Sequence, residues 1–442
     1  MALKIFRVIA LILVIVLLGV VGANLFIHNS DNSNRAIVVI HGTMGGGLML
    51  TDGTPVWDPF GGELSYFDFF KDPIAMVFDI LFGQYASRSS DVINSVLAND
   101  PNGLLYMMIS DEDGRVKNNG IVPGTPDSAV PFGPFNAYRG IYEGINNEFG
   151  DKIEVAMFQY DWRQDNRISG QRLEEFINQN GWDEVILVAH SMGNIVTSSY
   201  LARGEENRAK VRGYMALAGP FLGATTALTV LEDPGIYING VVDMINNTPM
   251  LKNLLGNKVD TIINDQILPL IYNMASTAQL LPTIEYARAL KEYYGEAFLT
   301  VDGREITTNE ELVAYYLSRP WAKKTNGNLR AFMADLGEFM DSFYVEEGGA
   351  RKHVSELVNT WYFAGTGKTT DLGAAIKNNR LDKVVQGPKG DGTVPLYSAT
   401  LGKHPDGNAR IKVYDNHGHG DVGMEYTGEF ARDLGTVIRY LL

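Results

Sequence analysis

The strongest constraint on this chain is an alternation of short apolar runs with amphipathic segments between residues 36 and 219. "AIVVIHGTMGGG" opens it, with five apolar residues, four of them β-branched, followed by a glycine-rich loop. Such a run reads as a buried strand. "AYRGIYEGINNEF" has helical spacing, and "IEVAMFQYDW" reads as the next strand. "SGQRLEEFINQNG" is expected to be a helix that starts after a Ser169 cap and stops at Gly181. "EVILVAH" is then a strand, "MGNIVTSSYLARG" a helix and "VRGYMALAG" a strand. This order predicts an α/β domain, a mainly parallel sheet with helices on both faces.

The rhythm breaks after "GPFLGA". Residues 225 to about 355 are rich in helical patterns, poor in strand signals and punctuated by Pro234, Pro249, Pro269, Pro282 and Pro320. A helical cap inserted into one α/β domain is expected there. The rhythm resumes with "TWYFAGTG", "DGTVPLYSAT" and "ARIKVYDN", and a final helix is expected from about Glu425 to Leu441. The domain thus spans 36–442.

At the N-terminus, Lys4 and Arg7 precede an apolar run from Val8 to Ile27, broken only by Asn24. Residues 1–28 read either as a signal peptide, with Val21-Gly22-Ala23 as the cleavage site, or as a membrane anchor. Residues 29–35 are a polar linker. Both readings place the domain outside the cytoplasm, in agreement with the positive-inside orientation.

Composition narrows the chemistry. A net charge of −15 argues against nucleic acid as a partner and against electrostatic docking on anionic membranes. Any membrane or lipid-surface contact must be apolar. With no cysteine, thiolate catalysis, disulfides and cysteine zinc sites are excluded. Seven histidines are too scattered for a metal box, His417 and His419 being the closest pair. "AGTGKTTD" at 364–371 resembles the tail of a phosphate-binding loop, but the position that loop reserves for an earlier glycine is Tyr362, so no nucleotide is expected.

The chemistry gathers around "ILVAHSMGNIVTSSYLA". A serine nucleophile must be exposed, next to a base and next to oxyanion donors. A sharp strand-to-helix turn exposes it only if small residues flank it. Ser191 meets that requirement, with Ala189 and Gly193 in the small positions. His190 reads as structural. "VVIHGTMGGG" nominates the Met44 amide, with Thr43 as the alternative, and the residue after the nucleophile nominates the Met192 amide. His41 and Gly42 are supporting residues of that loop, His41 structural rather than a base. Downstream, Asp391 lies in the Gly-flanked turn of "GPKGDGTVPLYSA", expected to begin a strand. His417 and His419 follow the strand of "IKVYDN". Either histidine could take the serine proton, with Asp391 setting its tautomer. His404 and His353 are poorer candidates, lacking a preceding strand end.

These segments together resemble the lecithin:cholesterol acyltransferase family of α/β-hydrolases, which includes related phospholipases and acyltransferases. The resemblance rests on "HGTMGG", "PVWDP", "YDWR", "AHSMGN", "GPFLGA", "STAQLLP", "YFAGTGKTT" and "GDGTVP", in that order. It covers most of residues 36–435. It implies an α/β-hydrolase fold, a lipid ester as substrate, no cofactor, and His419 of "HGD" as the base, with His417 the alternative. Two departures stand out: His41 replaces the family's usual proline, and the absence of cysteine removes the disulfide-closed lid of the plasma members. Asp161 and Arg163 of "YDWR" are expected to pair and brace the loop above the sheet. Trp57 and the aromatics near 67–70 are candidates for lipid contact. The expected function is serine-dependent acyl transfer on lipid esters, to water or to an alcohol. A non-catalytic lipid-binding or scaffold protein on the same fold is the competing class.

Overall fold

The computed structural model describes residues 34–53, 55–57, 108, 120–124, 136–235, 261, 264–265, 268, 272, 274–324 and 333–442. The N-terminal segment, most of the polar linker, the aromatics near 67–70 and the side chain of Trp57 lie outside the described residues.

A six-stranded, wholly parallel sheet forms the centre. Its strands are β1 (Arg35–Ile40), β2 (Glu154–Phe158), β3 (Glu184–His190), β4 (Val211–Leu217), β5 (Thr360–Thr366) and β8 (Ile411–Asp415), in the order β8-β5-β4-β3-β1-β2. The chain runs from β1 to the edge at β2, then crosses back to β3 on the other side of β1. Order reverses at this point, and in open α/β sheets the crevice beyond the strand ends at such a reversal receives ligands. The loops after β1 and β3 both open there.

Alternation along β1 shows why its apolar run is continuous. Ala36, Val38 and Ile40 enter one core with Leu173 and Ile177 of α2 (Asn166–Gln179) and Ile195 and Val196 of α3 (Gly193–Ala202). Ile37 and Val39 enter the opposite core with Ile141, Ile145 and Phe149 of α1 (Arg139–Phe149) and Leu434 and Ile438 of α7 (Gly428–Leu441). A strand covered on both faces has no reason to alternate with polar residues. The fold is therefore α/β with helices on both faces, as the alternation predicted.

Several local expectations are corrected. Helix α2 begins at Asn166, and its cap is Asp165, whose carboxylate accepts the Arg167 amide at 2.8 Å. Ser169 lies inside the helix. The strand assignment around Asp391 shifts upstream: a hairpin of β6 (Lys368–Lys377) and β7 (Arg380–Gly390) precedes Asp391, and the short helix Leu396–Ala399 follows it. The hairpin turns at Asn378 and Asn379, with φ of 49° and 63°. Two adjacent positive φ values mark a two-residue turn of the kind asparagine favours. Helix α7 starts at Gly428, because Tyr426 packs against Gly144 of α1 and donates to Glu148 at 2.8 Å.

Between 225 and 355 lie α4 (Thr225–Glu232), α5 (Ile284–Tyr294), α6 (Asn309–Ser318) and several shorter helices. Among the described residues the segment also holds four short strands, which the sequence pattern did not signal. One of them, Leu299–Val301, pairs in parallel with β6. Among the described residues, no helix is long and apolar enough to cross a membrane.

Candidate active site

Ser191 sits between β3 and α3 with φ of 53°. A left-handed backbone is costly for a serine and holds only where the surroundings enforce it. Here the enforcing groups are visible. The Ser191 amide donates to Leu217 O at 2.9 Å. The Asn194 side chain donates to Ser191 O at 2.9 Å and to Leu217 O at 3.0 Å, while its own oxygen accepts from Tyr214 at 2.7 Å. A Cβ on Gly193 would lie 2.6 Å from His41 O and 2.7 Å from Ile40 O, so only glycine lets α3 start this close to β1. Asn194 lies inside the quoted "AHSMGN", yet nothing in the sequence marked it as the brace of the turn.

Two groups from distant parts of the chain line up behind the serine. His419 Nε2 lies 2.9 Å from Ser191 Oγ, and His419 Nδ1 lies 2.8 Å from Asp391 Oδ2. A carboxylate can only accept, so Nδ1 carries the proton and Nε2 accepts from the serine hydroxyl. The other oxygen of Asp391 accepts the Thr393 and Val394 amides at 2.9 and 2.7 Å. Asp391 is buried, and these bonds match the requirement that a buried charge be fully partnered. It stands at the end of β5: a Cβ on Gly365 would meet the Asp391 Cβ at 2.9 Å. The β6–β7 hairpin is thus an excursion that returns the chain to the end of β5.

His417 does not join the group. Its Nδ1 lies 2.9 Å from Asp415 O, and its ring packs near Tyr414. His353 is buried against Phe221, Phe343 and Tyr344, where burial pushes its pKa down to about 3. His404 stacks on Tyr293. His41 is also buried and stacks on Tyr160 with ring centroids 4.2 Å apart. Desolvation lowers its pKa to about 4, with the Gly42 carbonyl opposing the shift.

The glycine-rich loop turns tightly. Gly45 N–H donates to Gly42 O at 3.2 Å, which puts Thr43 and Met44 at the centre of a turn, Met44 with φ of 63°. The Gly42 amide is committed to Tyr138 Oη at 2.8 Å. Thr43 Oγ1 lies 3.4 Å from Met192 Sδ, so the turn faces the start of α3. The amides opening a helix have no acceptor within it and carry the positive end of its dipole. Met192 caps α3 at this place. Among the described residues, no cluster of three or more metal-ligating side chains occurs.

Three other segments join the core to residues 225–355. In "YDWRQDN", Arg163 pairs with Asp161 through Nε at 2.9 Å and Nη2 at 2.7 Å, and donates to Met108 O at 2.8 Å. Asp161 and Arg163 are both buried. Gln279 of "STAQLLP" accepts from Asn166 N and Nδ2 at 2.8 and 2.9 Å and donates to Asp165 at 2.7 Å. "GPFLGA" closes the junction: Ala224 N–H donates to Leu280 O, and Thr283 N–H to Leu222 O. A Cβ on Gly223 would lie 2.5 Å from Leu281 O.

A parallel sheet covered on both faces, with a strained serine turn at its reversal point, defines the α/β-hydrolase fold. The sequence model of the lecithin:cholesterol acyltransferase family matches residues 148–419, more than half of the chain. The protein belongs to the lecithin:cholesterol acyltransferase family, and with it to the lipid-active α/β-hydrolases that hydrolyse or transfer acyl esters. The matched span includes Ser191, Asp391 and His419 and begins after the glycine-rich loop. Among solved structures, the chain is similar to the Tle4–Tli4 complex, at 15% identity over 93% of this chain and 99% of that one, with a TM-score of 0.49. It is also similar to the mature lipase BlEst2 of Bacillus licheniformis, at 12% identity over 69% of this chain and 86% of that one, with a TM-score of 0.31. A search of curated proteins found no match.

Proposed function

We propose that this protein is a serine esterase that transfers an acyl group from a lipid ester through an acyl-enzyme. The observation that carries the reading is the continuous hydrogen-bonded path from Ser191 Oγ through the His419 ring to Asp391. Ser191 Oγ attacks the ester carbonyl carbon as its proton passes to His419 Nε2. The carbonyl oxygen becomes an oxyanion, facing the Met192 amide and that of Met44 or Thr43. His419 returns the proton to the departing alcohol or lysolipid, the C–O bond breaks, and the acyl group stays on Ser191. Water or an acceptor alcohol then attacks the acyl-enzyme, with His419 taking its proton. The second tetrahedral intermediate collapses, releasing fatty acid or a new ester and restoring the serine hydroxyl. Asp391 holds the His419 tautomer and stabilises the imidazolium. No cofactor enters these steps.

The lipid partner would dock by apolar contact, in keeping with the acidic net charge of −15. The apolar N-terminal run of residues 8–27 supports an extracytoplasmic domain, tethered or released. A fluorophosphonate probe tests the chemistry: labelling should occur on the wild type and vanish in Ser191→Ala. Labelling that survives in Ser191→Ala, or is absent from the wild type, rejects the serine-esterase reading in favour of a non-catalytic lipid-binding role. Mass spectrometry of products from mixed phospholipids, with and without an added alcohol, then separates hydrolysis from acyl transfer.

A further inference from the structure

Beneath Ser191 runs a second hydrogen-bonded path that the reaction steps do not use. Gly42 N–H donates to Tyr138 Oη at 2.8 Å, and Tyr138 Oη lies 2.6 Å from His190 Nδ1. His190 Nε2 lies 3.0 Å from the backbone oxygen of His419, and the two imidazole rings are 4.6 Å apart. The direction of each bond follows from its partner. A carbonyl only accepts, so His190 Nε2 carries a proton. Burial, aided by the adjacent His419 ring, pushes the His190 pKa well below its usual value, so the ring is neutral and Nδ1 is bare. Tyr138 therefore donates to Nδ1 while accepting from Gly42.

The surrounding glycines are shaped to this path. A Cβ on Gly45 would lie 2.2 Å from Tyr138 Cε2, and one on Gly42 would lie 2.8 Å from Tyr138 Oη. A Cβ on Gly423, in the loop that carries His419, would lie 2.3 Å from His190 Cδ2. Two glycines of "HGTMGGG" thus make room for a tyrosine from outside the motif. Tyr138 sits at the start of α1, and the next turn of that helix is tied to the histidine loop through Ile141 N–H to Met424 O at 2.8 Å. Both side chains are almost wholly buried. Neither touches the Ser191–His419–Asp391 hydrogen bonds directly.

We propose that Tyr138 and His190 are positioning residues that clamp the glycine-rich turn to the backbone of His419, holding oxyanion donors and base in register. The proposal rests on the acyl-transfer reading above. Its chemical consequence is specific. Without the clamp, substrate still reaches Ser191, but the donors and the base no longer meet the transition state together. The loss falls on kcat rather than KM.

The test uses the full chain, a short soluble ester, and fluorophosphonate titration to count competent sites. Tyr138→Phe should lower kcat per titrated site about 10- to 100-fold, as expected for small misplacements of reacting groups, with KM changed less than about threefold. His190→Leu should do the same. His190→Gln, which keeps a donor at the Nε2 position, should recover part of the loss and guards against a folding defect in the other variants. The double variant Tyr138→Phe with His190→Leu should be no slower than the slower single one, since both cut one path. Unchanged kcat per titrated site in Tyr138→Phe and His190→Leu overturns the proposal, as does a multiplicative double variant. A wild type that neither labels nor turns over rejects the acyl-transfer reading itself.

Discussion

Two buried carboxylates in this molecule look alike by exposure and differ in what holds them. Asp391 accepts two backbone amides on one oxygen and the His419 imidazole N–H on the other. Glu232, at the end of α4, accepts from Tyr315 at 2.7 Å, Trp321 at 3.0 Å, and Arg319 through Nε at 2.7 Å and Nη2 at 2.5 Å. Arg319 in turn reaches Asn379 in the β6–β7 turn. Glu232 therefore joins α4, the end of α6 and the hairpin through a partner that never loses its charge. Asp391 faces a ring whose charge can change, and beyond that ring lies a serine hydroxyl. The first arrangement locks an interface. The second leaves a proton free to move while its ends stay fixed.

Four experiments would break or sharpen this contrast. Asp391→Asn should lower kcat about 10^3- to 10^4-fold, because the amide no longer enforces the His419 tautomer. Esterase assays per folded molecule measure this, and less than a tenfold loss would place Asp391 with Glu232 as a structural group. Arg319→Met should act the other way, costing about 3–5 kcal/mol of stability by stranding a buried carboxylate. Urea unfolding reads the cost, while fluorophosphonate labelling of the folded fraction should persist.

The third experiment uses pH. His41 and His353 are buried neutral, with pKa values pushed to about 4 and about 3, and His190 is shifted in the same direction. An unfolded histidine binds its proton near pH 6.5, whereas these three in the folded state do not until the solution is far more acidic. Their share of stability is full above about pH 6.5 and falls as pH drops toward about 4, by about 1.4 kcal/mol per pH unit for each histidine. The urea midpoint at pH 5 should lie below that at pH 7.5. Replacing His353, whose ring bonds Ser355 and packs on Phe221, Phe343 and Tyr344, should flatten the dependence, and an unaltered slope would argue that His353 is not buried neutral. The smallest effect belongs to His417→Ala. Its ring bonds the Asp415 carbonyl at the end of β8, and its loss should change esterase activity less than about twofold at saturating substrate, within the scatter of ordinary surface changes.

Much of the central sheet was legible because a strand covered on both faces needs an unbroken apolar run, and such runs are visible at β1, β3 and β4. The β6–β7 hairpin was harder. Its first strand is largely buried but mixes polar and small residues, its second is largely exposed, and neither carries a clear alternation, while "GTGKTTD" resembles a phosphate loop. The Asn-Asn pair between 377 and 380 was the available signal. Of the four short strands described between 225 and 355, only Leu299–Val301 pairs outside the segment, with β6; the others pair within local hairpins of strands two to four residues long, too short to show an alternation. Asp165 displaced Ser169 as the cap of α2 because the chain enters that helix directly from "YDWR". That entry is fixed by the Gln279 contact across the junction.

At the site, the residue types carried the chemistry. A serine between small residues, an aspartate in a glycine turn and a histidine after a strand are legible one by one, since each motif reflects a local steric or hydrogen-bonding need. Which histidine faces the serine is not a local property. His417 and His419 share one loop, and only the fold of that loop against β5 and β3 directs one ring to Ser191 and the other to its own backbone. The same holds for Tyr138 and His190. By sequence they are a helix-start aromatic and a variable turn residue. The packed glycines of two other loops make them neighbours, because close approach is decided by what the tertiary structure brings together.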